Sequence, residues 1–286
     1  MINRFTILIV SLNIIFGSVP DASGVNGAVT SSNKFASDVG INILKDGGNA
    51  VDAAIAVGFA LAVVHPGAGN IGGGGFMVIR LADGTKTTID FRETAPQKAS
   101  RDMFLDENGD IIEGKSWSTS WASGVPGSVA GFGLAHEEFG TLKWSQLIDS
   151  SIQLARDGYS LNYNDANSFN RYNDFLTKDS VTRTIFVRDE EFKTGDILVQ
   201  RNLASTLERI SRAGWEEFYT GKTADLIQKC MERTDGLISK NDLKNYIAVQ
   251  RDPITFSYRD HIVYSMPPAS SGGIALAGIL NQLENI

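Results

Sequence analysis

The chain has 286 residues, 42% hydrophobic and 21% charged, a balance that supports a sizeable core as one large domain or two small ones. Its net charge of -7, with no basic run or basic helix face, argues against a nucleic-acid or anionic-membrane surface and leaves small molecules or peptides as partners. A single cysteine, Cys230, excludes an internal disulfide and a zinc site of several thiolates, and His65, His136 and His261 show no metal-ligand spacing.

Met1 to Arg4 carries one positive charge and precedes a short apolar run, Phe5 to Phe16, followed by small and turn residues to Ser23. This is the pattern of a secretory signal, and the run falls short of the roughly 20 apolar residues a membrane span needs. The sequence therefore predicts a signal peptide over residues 1–22, cleaved near Ala22, a periplasmic or secreted protein and no stable membrane span. An uncleaved anchor is the alternative.

Gly27 to Thr30 is predicted as a short strand. Ala36 to Lys45 places Val39, Ile43 and Leu44 at helical spacing and ends at Asp46-Gly47-Gly48. Ala50 to Val64 is a second helix, apolar apart from Asp52 and Gly58 and hence buried on most sides; His65-Pro66 stops it. The following Gly67, Gly69 and Gly72 have the spacing of a dinucleotide fingerprint. That fingerprint needs strand, loop, then helix, whereas here a helix enters and a strand leaves, so no dinucleotide site is expected.

Gly72 to Gly75 feed the strand Phe76 to Leu81, Asp83-Gly84 reverses the chain, and a second strand ends in Asp90-Phe91-Arg92-Glu93. Read as a two-residue hairpin loop, Asp83-Gly84 sets Ala82 against Thr85 and Arg92 opposite Gly75. A planar guanidinium returned to a glycine-lined backbone suits a carboxylate. The local residues leave open a plainer role for Arg92, a surface ion pair with Asp90 or Glu93.

Farther on, Arg101 to Ile112 reads as extended with a turn at Glu107 to Gly109, and Gly124 to Gly131 opens a helix toward Glu138. Leu142 to Asp157 is a helix closed by Gly158, and the Asn- and Ser-rich Tyr159 to Tyr172 a solvated loop. Asn202 to Ala213 is an amphipathic helix ending at Gly214. Gly221-Lys222-Thr223 copies the tail of a phosphate loop, but Glu216 stands where the earlier glycine belongs, so Thr223 is read as a helix cap. Cys230 falls on the apolar side of the next helix and is assigned to packing. Ser239 and Asp242 form a capping box, and Pro253 to Tyr258 and His261 to Ser265 are strands about Arg259-Asp260. Met266 to Gly273 turns into a final apolar helix without a stop signal, and the natural protein is expected to continue beyond Ile286.

Five stretches, in order, make the chain resemble the gamma-glutamyltransferase (glutathione hydrolase) family: Gly47 to Ala54, Gly72 to Met77, Asp90 to Pro96, Gly124 to Gly127 and Pro267 to Gly273. The resemblance covers nearly all of residues 23–286, which it marks as a large-subunit region truncated at its C-terminus. It implies an α+β fold of the N-terminal nucleophile hydrolase type, an αββα sandwich left incomplete without the small subunit. It implies glutathione or another γ-glutamyl donor, water or an amino acid or peptide as acceptor, a small subunit cut from the same precursor, and no metal or organic cofactor. Arg92 is the residue the resemblance assigns to the donor's α-carboxylate. The nucleophilic threonine would lie beyond this chain, so no catalytic residue is expected within it and the fragment alone should be inactive. Ser270 and Ser271, without the glycine spacing of a nucleophile elbow, are read as turn and helix start. The alternatives are an acylase or poly-γ-glutamate-processing enzyme of the same fold, or a non-catalytic exported peptide-binding module.

Overall fold

Helix α1 (Lys34–Lys45) starts where the Asn33 side chain accepts from the Phe35 N–H at 2.9 Å, and it buries Ala36, Val39, Gly40 and Ile43. Helix α2 (Ala50–Val64) starts on a capping box, Asn49 with Asp52, and is buried along most of its length. Its last carbonyls would be orphaned in a dry core. Two buried amides supply them: Gln200 Nε2 donates to the Val63 carbonyl at 2.7 Å and Asn33 Nδ2 to that of Val64 at 2.8 Å. The computed structural model describes residues 23–284, so the signal predicted over residues 1–22 lies outside the described residues.

Around α2 pack α1, α3 (Ser128–Phe139) and α4 (Trp144–Asp157), with α6 (Arg201–Ala213) against α4 after α5 (Tyr163–Arg171). Later come α7 (Lys222–Arg233) and α8 (Gly272–Leu283). The helix approaches need small residues. A methyl on Gly58 would sit 2.5 Å from the Phe132 ring, and one on Gly131 would sit 2.2 Å from Phe91. No helix among the described residues is long and apolar enough to cross a membrane.

Among the described residues the strands make three small antiparallel sheets: β1 (Phe76–Arg80), β2 (Lys86–Asp90) and β5 (Val249–Arg251); β3 (Tyr159–Ser160) with β4 (Ile197–Leu198); and β6 (Ile254–Tyr258) with β7 (His261–Ser265). The β6–β7 turn sets Arg259 and Asp260 at positive φ, as the Arg-Asp signal placed it.

The hairpin register differs from the two-residue reading. Phe76 faces Asp90 and Arg80 faces Lys86, and Leu81 N–H donates to the Thr85 carbonyl at 2.8 Å, so the loop has three residues. A two-residue loop would push Asp83 to positive φ; the longer one leaves only Gly84 there, at +92°. Gly75 consequently pairs with Phe91, exchanging bonds of 3.1 and 3.3 Å, and Arg92 falls beside Gly74. Since side chains alternate, the one-residue slip decides direction: Phe91 enters the core against Phe132 and Arg92 turns outward.

Four further expectations change. Gly27 to Thr30 forms no strand, and Val29 instead packs against Gly40 of α1. Tyr159 to Tyr172 is largely helical, because Asn162 caps the Asp165 N–H at 2.9 Å and Ala166 and Phe169 give it a buried stripe. Thr223 lies inside α7, where Glu217 accepts from its N–H at 3.0 Å and its hydroxyl at 2.6 Å; the place of a bound phosphate is taken by the protein's own carboxylate. Cys230 is half-buried at the edge of open clefts rather than packed in the core. The capping box at Ser239 and Asp242 is present.

Candidate substrate site at the end of the β1–β2 ribbon

Where β2 ends, the Asp90 side chain fixes the chain. One oxygen accepts from the Arg92 N–H at 3.1 Å, and the other meets Arg251 of β5 at 3.0 and 3.1 Å. Asp90 is 9% exposed, and this double engagement offsets the burial of its charge. The plainer alternative for Arg92, a surface pair with Asp90, is therefore not formed; Arg251 occupies that carboxylate.

Past Arg92 the chain keeps an extended course by bridging Val125: Thr94 and Val125 exchange bonds of 3.3 and 2.8 Å. Tyr246 locks the corner from behind, its hydroxyl donating to the Arg92 carbonyl at 2.8 Å while its ring stacks on Tyr219 at 5.7 Å. Burial, then the nearby charges of Asp90 and Glu93, raise the Tyr246 pKa, so the phenol keeps its proton and remains a donor. The glycines admit this crowding. A Cβ on Gly74 would come within 2.4 Å of the Phe91 carbonyl and 2.8 Å of the Glu93 nitrogen, both backbone atoms with little room to yield. Gly73 turns its carbonyl to the N–H groups of Gly127 and Ser128 at 2.7 and 3.0 Å, tying the loop to the start of α3.

The backbone thus fixed presents an exposed Arg92 to a cavity of about 490 Å³, whose walls include Gly72, Glu93, Thr94, Ser123 and Gly124. Among the described residues its guanidinium makes one hydrogen bond, Nη1 to the Ala269 carbonyl at 3.3 Å. Among the described residues neither Arg92 nor Glu93 forms an ion pair, which leaves a donor fork and a carboxylate facing one concavity. That combination complements a ligand bearing both a carboxylate and an ammonium group.

Four of the five stretches singled out in the sequence therefore meet here, from the glycine loop, the β2 end, the Gly124 turn and the Pro267 to Gly273 turn. Ala269 stands 177 positions from Arg92, a convergence that spacing alone does not reveal. The fifth, Gly47 to Ala54, is used elsewhere, in the buried start of α2. Asp90–Arg251 and Tyr246 were not anticipated; β5 is three exposed residues long and gives no periodic signal. Ser270 accepts from the Gly272 N–H at 3.2 Å, the turn role read for it. Among the described residues no group of three or more His, Cys, Asp and Glu is placed to hold a metal ion.

The profile of the family described as Gamma-glutamyltranspeptidase matches residues 36–286. The chain is 51% identical over 261 residues to a glutathione hydrolase proenzyme of Escherichia coli (strain K12), covering 91% of this chain and 45% of that one. It is 44% identical over 274 residues to a glutathione hydrolase proenzyme of Pseudomonas sp. (strain A14), covering 95% and 48%. It thus spans slightly under half the length of these relatives. The crystal structure of Helicobacter pylori gamma-glutamyltranspeptidase superposes with a TM-score of 0.91 at 45% identity, covering 93% of this chain and 77% of that one. The mixed helix and sheet described above is the α+β architecture of such N-terminal nucleophile hydrolases.

Proposed function

This chain belongs to the gamma-glutamyltranspeptidase family, and from that premise we propose that the full-length protein transfers the γ-glutamyl group of glutathione or a similar donor to water or to an amino acid or peptide acceptor. In this reading Arg92 binds the donor's α-carboxylate. The observation that supports it is an exposed guanidinium, held by a fixed backbone and without an ion-pair partner among the described residues, facing a cavity with Glu93 on its wall. Arg92 supplies orientation; Glu93 lies where an α-ammonium group would gain from a negative charge.

The bond-breaking step uses a threonine that the family resemblance places in the part of the relatives' length not spanned here. Its hydroxyl attacks the γ-carbonyl, its α-amine takes the proton and returns it to the departing amine, and water or the acceptor then resolves the acyl-enzyme. This chain's contribution is to hold the glutamyl head while those steps proceed.

The partner is the small subunit of the same precursor. Helix α8 buries only Gly273 and exposes Ile274, Leu276, Ile279 and Leu283, while Val78, Val249 and Ile262 are exposed on the strands. An apolar helix with so little core of its own fits a face that the remainder of the full-length protein covers. Backbone hydrogen exchange over residues 272–283 should be slow in the full-length protein and fast in this chain alone; equal rates would reject the assignment. The N-terminal run supports export, with residues 1–22 as signal and 23–286 as large-subunit region. Recovery of the mature protein in the cytoplasmic fraction would refute it.

The reading is tested with Arg92→Ala in the full-length protein. On a γ-glutamyl anilide, KM should rise about 10- to 150-fold, equivalent to about 1.5–3 kcal/mol for a charged hydrogen-bonded pair. The matching anilide without the α-carboxylate should be turned over equally by both proteins. Equal loss on the two substrates would show that Arg92 only supports the fold.

A further inference from the structure

The Arg92 cavity does not end at its own walls. Gly72, Ser123 and Gly124 also line a neighbouring cavity of about 380 Å³, whose surface is largely apolar and includes Phe218, Ile227 and Ile238. That cavity in turn shares Ser123, Thr206, Leu226, Cys230 and Met231 with a cleft of about 1240 Å³. Ser123 borders all three. The three cavities thus adjoin one another at shared walls, in the order Arg92 cavity, apolar cavity, wide cleft, a series termed the trough.

The cleft is basic in a protein whose net charge is -7. Lys178, Arg209, Lys229 and Arg233 line it against one carboxylate, Asp179, and most of the remaining polar wall is serine and threonine hydroxyl. Two of the cations are already engaged: Arg233 pairs with Asp179 at 2.9 Å, and Arg209 stands 3.4 Å from Glu217. Lys178 and Lys229 form no ion pair among the described residues; Asp225, whose charge Lys229 feels, is held by Lys240. Beside the cleft an exposed aromatic pair, Trp117 stacked on Phe175, carries the Lys178 ammonium 5.5 Å above the Phe175 ring.

Three properties of this surface select its ligand. The cleft exceeds the roughly 300–1,000 Å³ of an ordinary small-molecule pocket, so the ligand is extended. A concave wall concentrates the field of the two unpaired lysines, so the ligand is anionic. Both arginine forks are already engaged within the protein, Arg209 by Ser205, Thr206, Thr223 and Glu217 and Arg233 by Asp179 and Cys230, leaving ammonium groups that act as point charges; the site lacks the free fork that favours phosphate, and the apolar stretch between the two charged ends suits a peptide.

We propose that the trough is an extended subsite for peptides bearing several carboxylates, joined to the γ-glutamyl group seated at Arg92. It rests on the reading of Arg92 given above and deepens it. The glutamyl head binds at Arg92, the chain that follows crosses the apolar cavity, and its later carboxylates reach Lys178 and Lys229. The enzyme thereby prefers acidic γ-glutamyl peptides over neutral ones of equal length.

The test uses the full-length protein and a fluorescein-labelled peptide in which a γ-glutamyl group, joined through an uncleavable isostere of its amide so that the enzyme does not consume the probe, precedes three glutamates. Fluorescence anisotropy should show binding that weakens as salt rises, and Lys178→Glu/Lys229→Glu should weaken it about ten-fold at low salt. A peptide with glutamines in place of the three glutamates should bind both proteins alike, and kcat/KM on a neutral γ-glutamyl anilide should stay within about two-fold, which also shows that the variant is folded. Unchanged affinity of the variant for the acidic peptide, or equal loss on the acidic and glutamine peptides, overturns the proposal. If Arg92→Ala leaves anilide turnover intact, it is the reading of Arg92 that fails; the lysine variant still decides whether the cleft binds acidic peptide.

Discussion

Asp52 and Arg92 are charged residues in two of the stretches that carry the family resemblance, and the fold uses them in opposite ways. Asp52 is 0% exposed at the first turn of α2, where its oxygens accept from the Asn49 N–H at 2.9 Å, the Thr141 N–H at 3.1 Å and the Thr141 hydroxyl at 2.5 Å. The positive end of the helix dipole adds to that environment. Arg92 is exposed and makes one side-chain hydrogen bond, while its backbone is held by Asp90 and Tyr246. A charge whose bonding capacity is used internally serves the fold. One whose backbone is fixed while most of its donors stay free contributes little to the fold and is open to a ligand, as proposed for Arg92.

The comparison is broken most directly at Asp52. Asp52→Ala should remove about 3 kcal/mol of stability, because three donors lose their acceptor in a dry site, and denaturant titration measures it. Turnover per folded molecule should be unchanged. Arg92→Ala should do the reverse, with the KM effect stated above and a midpoint shift small beside that of Asp52→Ala. Arg92→Lys sharpens the contrast, since it keeps the charge and loses the fork; its KM should recover only part of the loss. If Arg92→Ala unfolds the protein as Asp52→Ala does, the two residues are not functionally distinct.

The long helices were legible in the sequence because their signals are local. The apolar series marks α2 and His65-Pro66 closes it, and Ala50–Val64 is found with those bounds; the Asn49–Asp52 capping box that opens it emerges only in the structure. The hairpin was legible in kind and not in register. Asp83-Gly84 marks the apex of a two- or a three-residue loop equally well, and the choice depends on which residue bears the positive φ. That detail shapes the candidate site, since it decides whether Phe91 or Arg92 faces the core. The remainder of the site was not legible, because it is assembled over long separations: Asp90 meets Arg251 across 161 positions and Tyr246 reaches Arg92 across 154. The family resemblance pointed to Arg92 without showing what holds it.

Asp242 tests whether the far end of the same stretch follows the Asp52 pattern. It is 6% exposed, and besides capping the helical turn Lys240–Lys244 it accepts from the Gln97 N–H at 2.8 Å, directly after Pro96. Burial opposes its ionisation. The hydrogen bonds from Ser239 and Gln97, with the charge of Lys98, outweigh that and lower its pKa. A carboxyl with a depressed folded pKa contributes stability that is complete above its unfolded value, about 3.9, and lost as pH falls through the folded value. Asp242→Asn should therefore cost about 1–2 kcal/mol near neutrality, with the gap between variant and wild type closing below about pH 4. Denaturant titrations at the two pH values measure the gap. A pH-independent gap would mean that the shape of the side chain, rather than its charge, anchors this end of the site.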